Sequence, residues 1–196
     1  MKKNLLLALC LFVSAGLFAQ ISIEKGYAGA GLGFTKLTGD IAEGGSGGIT
    51  AFVDGAVYLM PKVAVGVEGN FNLHGYQDAD DNLKFRSANL YLAKGEYYFL
   101  DKNFSPFVGL GLGLSTIVRD EVVGFDQATG EEFTILEEKT KFNFAASPRL
   151  GFVAGGFHME YIYNFAGKTP ATEFDEGGQT YNFWTISLGY RYIFEL

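Results

Sequence analysis

From Gln179 to Leu196 the chain alternates. Trp184, Ile186, Leu188, Tyr190, Tyr192, Phe194 and Leu196 fall on one face, and Tyr181, Phe183, Thr185, Ser187, Gly189 and Arg191 on the other. Side chains of a strand point alternately to its two faces, so period two predicts a strand, here long enough to cross a bilayer. Earlier segments repeat the pattern. About 25–36 sends Ala28, Ala30, Leu32 and Phe34 one way and Tyr27, Gly29, Gly31, Gly33 and Thr35 the other. About 48–59 sets Val53 and Val57 against Phe52 and Asp54, and about 62–74 sets Val63, Val65, Val67, Phe71 and Leu73 against Glu68, Asn70, Asn72 and His74. About 105–118 opposes Val108, Leu110, Leu112 and Leu114 to Phe107, Gly109, Gly111, Gly113 and Ser115. About 139–153 opposes Phe142, Phe144, Ala146, Pro148, Leu150 and Phe152 to Lys141, Asn143, Ser147 and Arg149. About 157–166 opposes Phe157, Met159, Tyr161, Tyr163 and Phe165 to His158, Glu160 and Asn164.

Two places resist the pattern. In about 85–100, Lys94 and Glu96 share parity with Leu90 and Leu92. The charges are expected to face inward, because a lipid-facing Lys at the midplane costs about 2–4 kcal/mol, and a bulge would reconcile the two ends. Pro148 lacks an N–H, which predicts a bulge or distortion in its strand. The connections alternate as well: long at 37–47, short at 60–62, long at 75–84, short at 101–103, long at 119–138, short at 155–156 and long at 167–178. Long loops at one end and tight turns at the other predict an all-β fold, an eight-stranded antiparallel up-and-down transmembrane β-barrel with both termini periplasmic. Closing the sheet leaves no edge for lipid to meet.

The segment Ser187-Leu-Gly189-Tyr-Arg-Tyr192-Ile-Phe194 resembles the C-terminal assembly signal of bacterial outer-membrane barrels, with Ser187, Gly189, Tyr192 and Phe194 at its fixed positions. Such barrels often end on the aromatic, whereas this chain continues through Glu195 and Leu196. The chain from residue 20 onward resembles the small eight-stranded outer-membrane barrels of the OmpA and OmpX type. That resemblance implies residence in the bacterial outer membrane, with outer-membrane lipid and the barrel assembly machinery as partners.

Lys2, Lys3, an apolar run from Leu5 to Phe18, and Ala19-Gln20 have the layout of a secretory signal peptide. Residues 1–19 are therefore expected to be cleaved, leaving 20–196 as one barrel domain. Cys10 lies in the leader, so the mature chain holds no thiol. Net charge is −7, and more negative once Lys2 and Lys3 are gone, which argues against nucleic acid as a partner. The 27 glycines fit a β-protein with many turns and close strand contacts.

Inward parity collects Asp54, Glu68, Glu96 and Glu160 with Lys94, Lys141, Arg149 and Arg191, equal in number and opposite in sign. An eight-stranded interior is about one side chain deep, so these charges are expected to pair as a structural network. Arg149, mid-strand and able to serve two carboxylates, is the expected centre. The inward glycines on opposite walls leave room for the long cations. A narrow porin-like channel is the alternative reading of the same glycines, although selective pores more often show rings of one sign. A lipid-modifying enzyme is the third. The lipid A deacylases place His and Ser two residues apart on a strand, whereas here His74 is followed by Tyr76 and His158 by Glu160. The long loops hold most of the acidic residues. Asp78-Ala-Asp80-Asp81-Asn82 lacks the Gly and distal Glu of a calcium loop. The reading is thus a non-enzymatic barrel with a filled lumen and no catalytic, cofactor or metal residues, acting in envelope structure or surface interaction through its acidic loops. An extracellular loop partner is left open.

Overall fold

A sheet of alternating apolar and polar side chains can enclose one face by curling on itself, and this chain does so. The computed structural model describes residues 23, 25–38, 45–77, 83–100, 102–119, 122–125, 132–136, 139–170 and 178–196. The expected signal peptide and most of the long-loop residues lie outside them. In chain order the strands are β1 (Lys25–Thr38), β2 (Gly45–Met60), β3 (Val63–Gln77), β4 (Leu83–Tyr98), β5 (Phe104–Arg119), β6 (Val122–Phe125), β7 (Glu132–Leu136), β8 (Lys139–Ala154), β9 (Phe157–Lys168) and β10 (Thr180–Glu195). Eight of them close a barrel in the order β1-β10-β9-β8-β5-β4-β3-β2. Every pairing is antiparallel, and the first and last strands meet along a seam from Lys25↔Glu195 to Thr38↔Asn182. β6 and β7 form a separate two-stranded sheet within the connection from β5 to β8.

The start of β1 and the end of β10 lie at the same end of the barrel as the tight turns. Pro61-Lys62 joins β2 to β3, and Gly155-Gly156 joins β8 to β9. Gly155 has φ 61°, a left-handed conformation that glycine takes without steric cost. Between β4 and β5, Ser105 Oγ donates to the Leu100 carbonyl at 2.6 Å, closing that turn with a side chain.

The outer wall is apolar and the interior mixed, the reverse of a soluble barrel. Leu32 is 70% and Phe34 73% exposed, whereas Glu68 and Arg149 are each 4% exposed. Aromatics mark both ends of the outer wall. Phe157 meets Tyr190 edge-on at 5.3 Å near the turns, and Tyr161 stacks on Trp184 at 6.3 Å toward the loops.

Both irregular strands resolve without a bulge. β4 pairs with β3 in unbroken register from Val63↔Tyr97 to Gln77↔Leu83, so Leu90 and Leu92 face the lumen together with Lys94 and Glu96. The interior itself is apolar at that height. Pro148 faces outward, and the ladder from β8 to β5 continues through Leu110↔Pro148. Toward β9 the ladder is interrupted between Ala146↔Phe165 and Arg149↔Ile162 but resumes in the same register. The missing N–H therefore costs a stretch of one ladder, not the alignment. The barrel's register shifts sit elsewhere, at the ends of β2 and the start of β10.

Candidate functional site: the filled lumen

Period two fixes which side chains enter the barrel; register fixes which of them share a level. Asp54 on β2 stands beside Glu68 on β3, Lys94 and Glu96 follow on β4, Arg149 on β8, Glu160 on β9 and Arg191 on β10. All are less than 9% exposed. Lys94 is the hub. Its Nζ meets Asp54 Oδ2, Glu68 Oε2 at 3.2 Å and Glu96 Oε1 at 3.3 Å. Arg149 grips Glu68 through both terminal nitrogens and reaches Glu160 Oε2 at 3.5 Å. It does serve two carboxylates, but the centre of the cluster is the lysine. Arg191 holds Glu96 at 2.9 Å and Asp54 at 3.5 Å.

Neutral groups add to the shell. Tyr27 and Tyr98 each donate to Glu96 Oε2 at 2.7 Å, and Arg191 Nη1 donates to the Tyr98 hydroxyl at 2.7 Å. Asn70 donates to Glu68 at 2.6 Å. The Arg191 guanidinium also lies 4.4 Å from the Tyr27 ring centroid, a cation–π contact in a desolvated setting. Asp54 Oδ1, Glu160 Oε2 and the Nε atoms of Arg149 and Arg191 are buried without a hydrogen-bond partner among the described residues, and losing a member of the network would strand further buried charge.

Glycines make the space. A Cβ on Gly29 would strike Asp54 Oδ1, and one on Gly109 or Gly111 would come within about 3.0 Å of Arg149. Gly29 of β1 and Gly109 and Gly111 of β5 therefore mark where long side chains from other strands lie.

The network occupies the middle of three tiers. Toward the turns, Tyr27, Ala56, Ala64, Tyr98 and Phe107 pack as one apolar cluster with Tyr58 and Val153 against it. Toward the loops, Leu37, Leu90, Leu92, Ile117, Tyr181 and Phe183 belong to a second. His74 lies against this upper cluster. Its ring nitrogens are 3.1 Å from Thr35 Oγ1 and 2.9 Å from the Tyr181 hydroxyl, and Phe183 meets the ring edge-on at 4.9 Å. Ser147, Asn164 and Thr185 continue the polar contacts across the interior at 2.7 and 3.2 Å.

One residue of the expected set stands apart. Lys141 lies near the loops, half-buried, and donates to the Thr169 carbonyl at 3.1 Å. The parity that turns it inward says nothing of its height. Sequence reasoning missed Tyr27 and Tyr98 as carboxylate donors, Lys94 as the hub and the upper apolar tier. In the segment with the assembly pattern, Ser187 donates to Glu160 at 3.3 Å, and a Cβ on Gly189 would lie 2.6 Å from His158 Cε1. Tyr192 is 67% exposed on the outer wall, and Phe194 is half-buried beside Gly26.

The profile of a family described as outer membrane protein beta-barrel domain matches residues 5–194. No curated protein matches the chain. Among solved structures, the Neisserial surface protein A has the same fold with a TM-score of 0.60 at 14% identity, covering 85% of this chain and 95% of its own. The attachment invasion locus protein of Yersinia pestis, Ail, in complex with the heparin analogue sucrose octasulfate, gives 0.51 at 13% identity, covering 87% of this chain and 100% of its own.

Proposed function

This chain belongs to the outer membrane protein beta-barrel family and is a protein of the bacterial outer membrane, and on that premise we propose that it is a non-enzymatic barrel with a closed lumen that works through its surface loops. The chain ends and tight turns face the periplasm, and the long connections face outward. The observation that carries this reading is the stacking of three tiers across the interior, apolar, charged and apolar, with the charged side chains buried. A lumen so filled offers no continuous path, and its ion pairs use both signs at one level, unlike the single-sign rings that select ions. Barrel scaffolds vary in their loops without changing fold, so the acidic loops are the part free to meet a partner. Both histidines support the non-enzymatic side. His74 and His158 are fully buried in the lumen, away from the outer wall where a lipid substrate would arrive.

Planar-bilayer recording tests the proposal. The wild-type barrel is expected to give little conductance. Large, steady single-channel currents would show the lumen to be open and return the porin-like reading.

A further inference from the structure

The outer wall is convex except where side chains are missing. Near the loop end, Gly47 and Gly75 carry none, and a cleft of about 490 Å³ opens between Phe34, Ile49, Leu73, Phe85 and Trp184, with Lys36 on its rim. The two glycines Gly47 and Gly48 differ in cause. A Cβ on Gly48 would strike the Leu73 carbonyl, so close backbone approach requires that glycine. Among the described residues a Cβ on Gly47 would meet only the Thr35 carbonyl at 3.5 Å, an ordinary contact, so their packing admits a side chain there. The register shift between Gly45 and Gly48 places this gap in the ladder of β2 with β3.

Lys36 pairs in register with Trp184 on one side and Gly47 on the other. It is exposed on the outer wall, and among the described residues it has no ion pair. Below it, on the same face of β1, come Phe34 and Leu32, both strongly exposed. A cation in that setting extends its ammonium toward the headgroup level, where Trp is also favoured. Its charge and the apolar floor beside it complement one class of molecule, with an anionic head and a hydrocarbon tail.

We propose that this cleft binds one acyl lipid bearing a phosphate headgroup, drawn from the leaflet at the loop end. An acyl chain lies over Gly47 and Gly75 among Phe34, Ile49, Leu73 and Phe85, and the phosphate meets Lys36. The inference is independent of whether the lumen conducts.

The folded protein in detergent is titrated with dipalmitoyl phosphatidic acid, with dipalmitoylglycerol and with inorganic phosphate, and retained molecules are counted by native mass spectrometry. Phosphatidic acid is expected to be retained as a single copy, and the other two not. Lys36→Gln is expected to weaken that retention about fivefold, the worth of one basic residue near a lipid surface. Gly47→Leu, which fills the cleft and leaves the charge, is expected to weaken it by as much, while Lys168→Gln at the same end leaves it unchanged. Folding of each variant is verified by heat-modifiable migration. Equal retention of dipalmitoylglycerol, retention of phosphate alone, or an unchanged titration in both folded cleft variants overturns the proposal. The two cleft variants are distinct substitutions, so failure of one to fold leaves the other to decide.

Discussion

At the scale of single residues, Arg149 shows how a buried charge is made tolerable. It lies over Gly109 and Gly111, holds both oxygens of Glu68 and reaches Glu160. Arg149→Ala leaves Glu68 with only Lys94 and Asn70, and is expected to cost about 3–5 kcal/mol, because the carboxylate stays buried with its main partner gone. Urea unfolding of the barrel in detergent measures this, and adding Glu68→Ala should recover part of the loss. A cost under about 1 kcal/mol would mean that water enters the lumen and solvates Glu68. What was legible at this scale was the face, not the level. Arg149 and Lys141 share parity on one strand, yet eight residues at about 3.3 Å each separate a member of the network from a lysine at the rim. Tyr27 was correctly turned inward from alternation alone. That its hydroxyl donates to Glu96 could not be read, because the partner lies 69 positions away and depends on register.

At the scale of elements, β10 serves two faces at once. Its inner side supplies Arg191, Ser187 and the gap at Gly189, while Tyr192 and Phe194 belong to the outer pattern. Substituting both aromatics, Tyr192→Ala with Phe194→Ala, removes no member of the lumen network. The double variant is therefore expected to slow insertion in cells more than it lowers the unfolding midpoint of the assembled barrel. Pulse-chase appearance of the heat-modifiable form measures insertion, and normal kinetics would remove Tyr192 and Phe194 from any assembly role. β4 marks the limit of reading an element alone. A leucine turned to lipid and one turned to an apolar tier look alike in sequence, so Leu90 and Leu92 suggested a bulge that the continuous register rules out. Pro148 was expected to bring a bulge or a distortion, and it brings the second: the ladder to β9 is interrupted beside it, while the ladder to β5 is intact.

At the scale of the whole molecule, alternation and loop lengths were enough to give strand number and closure, because one apolar face per strand and no free edge admit few other arrangements. The β6–β7 sheet is a separate unit, paired only within itself. Replacing residues 120–138 with a short Gly-Ser linker is accordingly expected to leave a heat-modifiable barrel of nearly unchanged unfolding midpoint. Loss of the folded band would instead make the hairpin part of the barrel's stability. The tiers of the lumen carry one more consequence. Raising sodium chloride from about 0.1 to about 1 M shortens the Debye length from about 10 to about 3 Å, which dissolves the attraction between charges that ions can surround. Lys94, Glu68 and Arg149 are enclosed between Tyr27, Tyr98 and Phe107 on one side and Leu90, Leu92 and Phe183 on the other, so no counter-ion shell can form around them. The unfolding midpoint should hold steady across that range, as if the charges were not there, and a midpoint that falls with salt would mean that ions reach the interior.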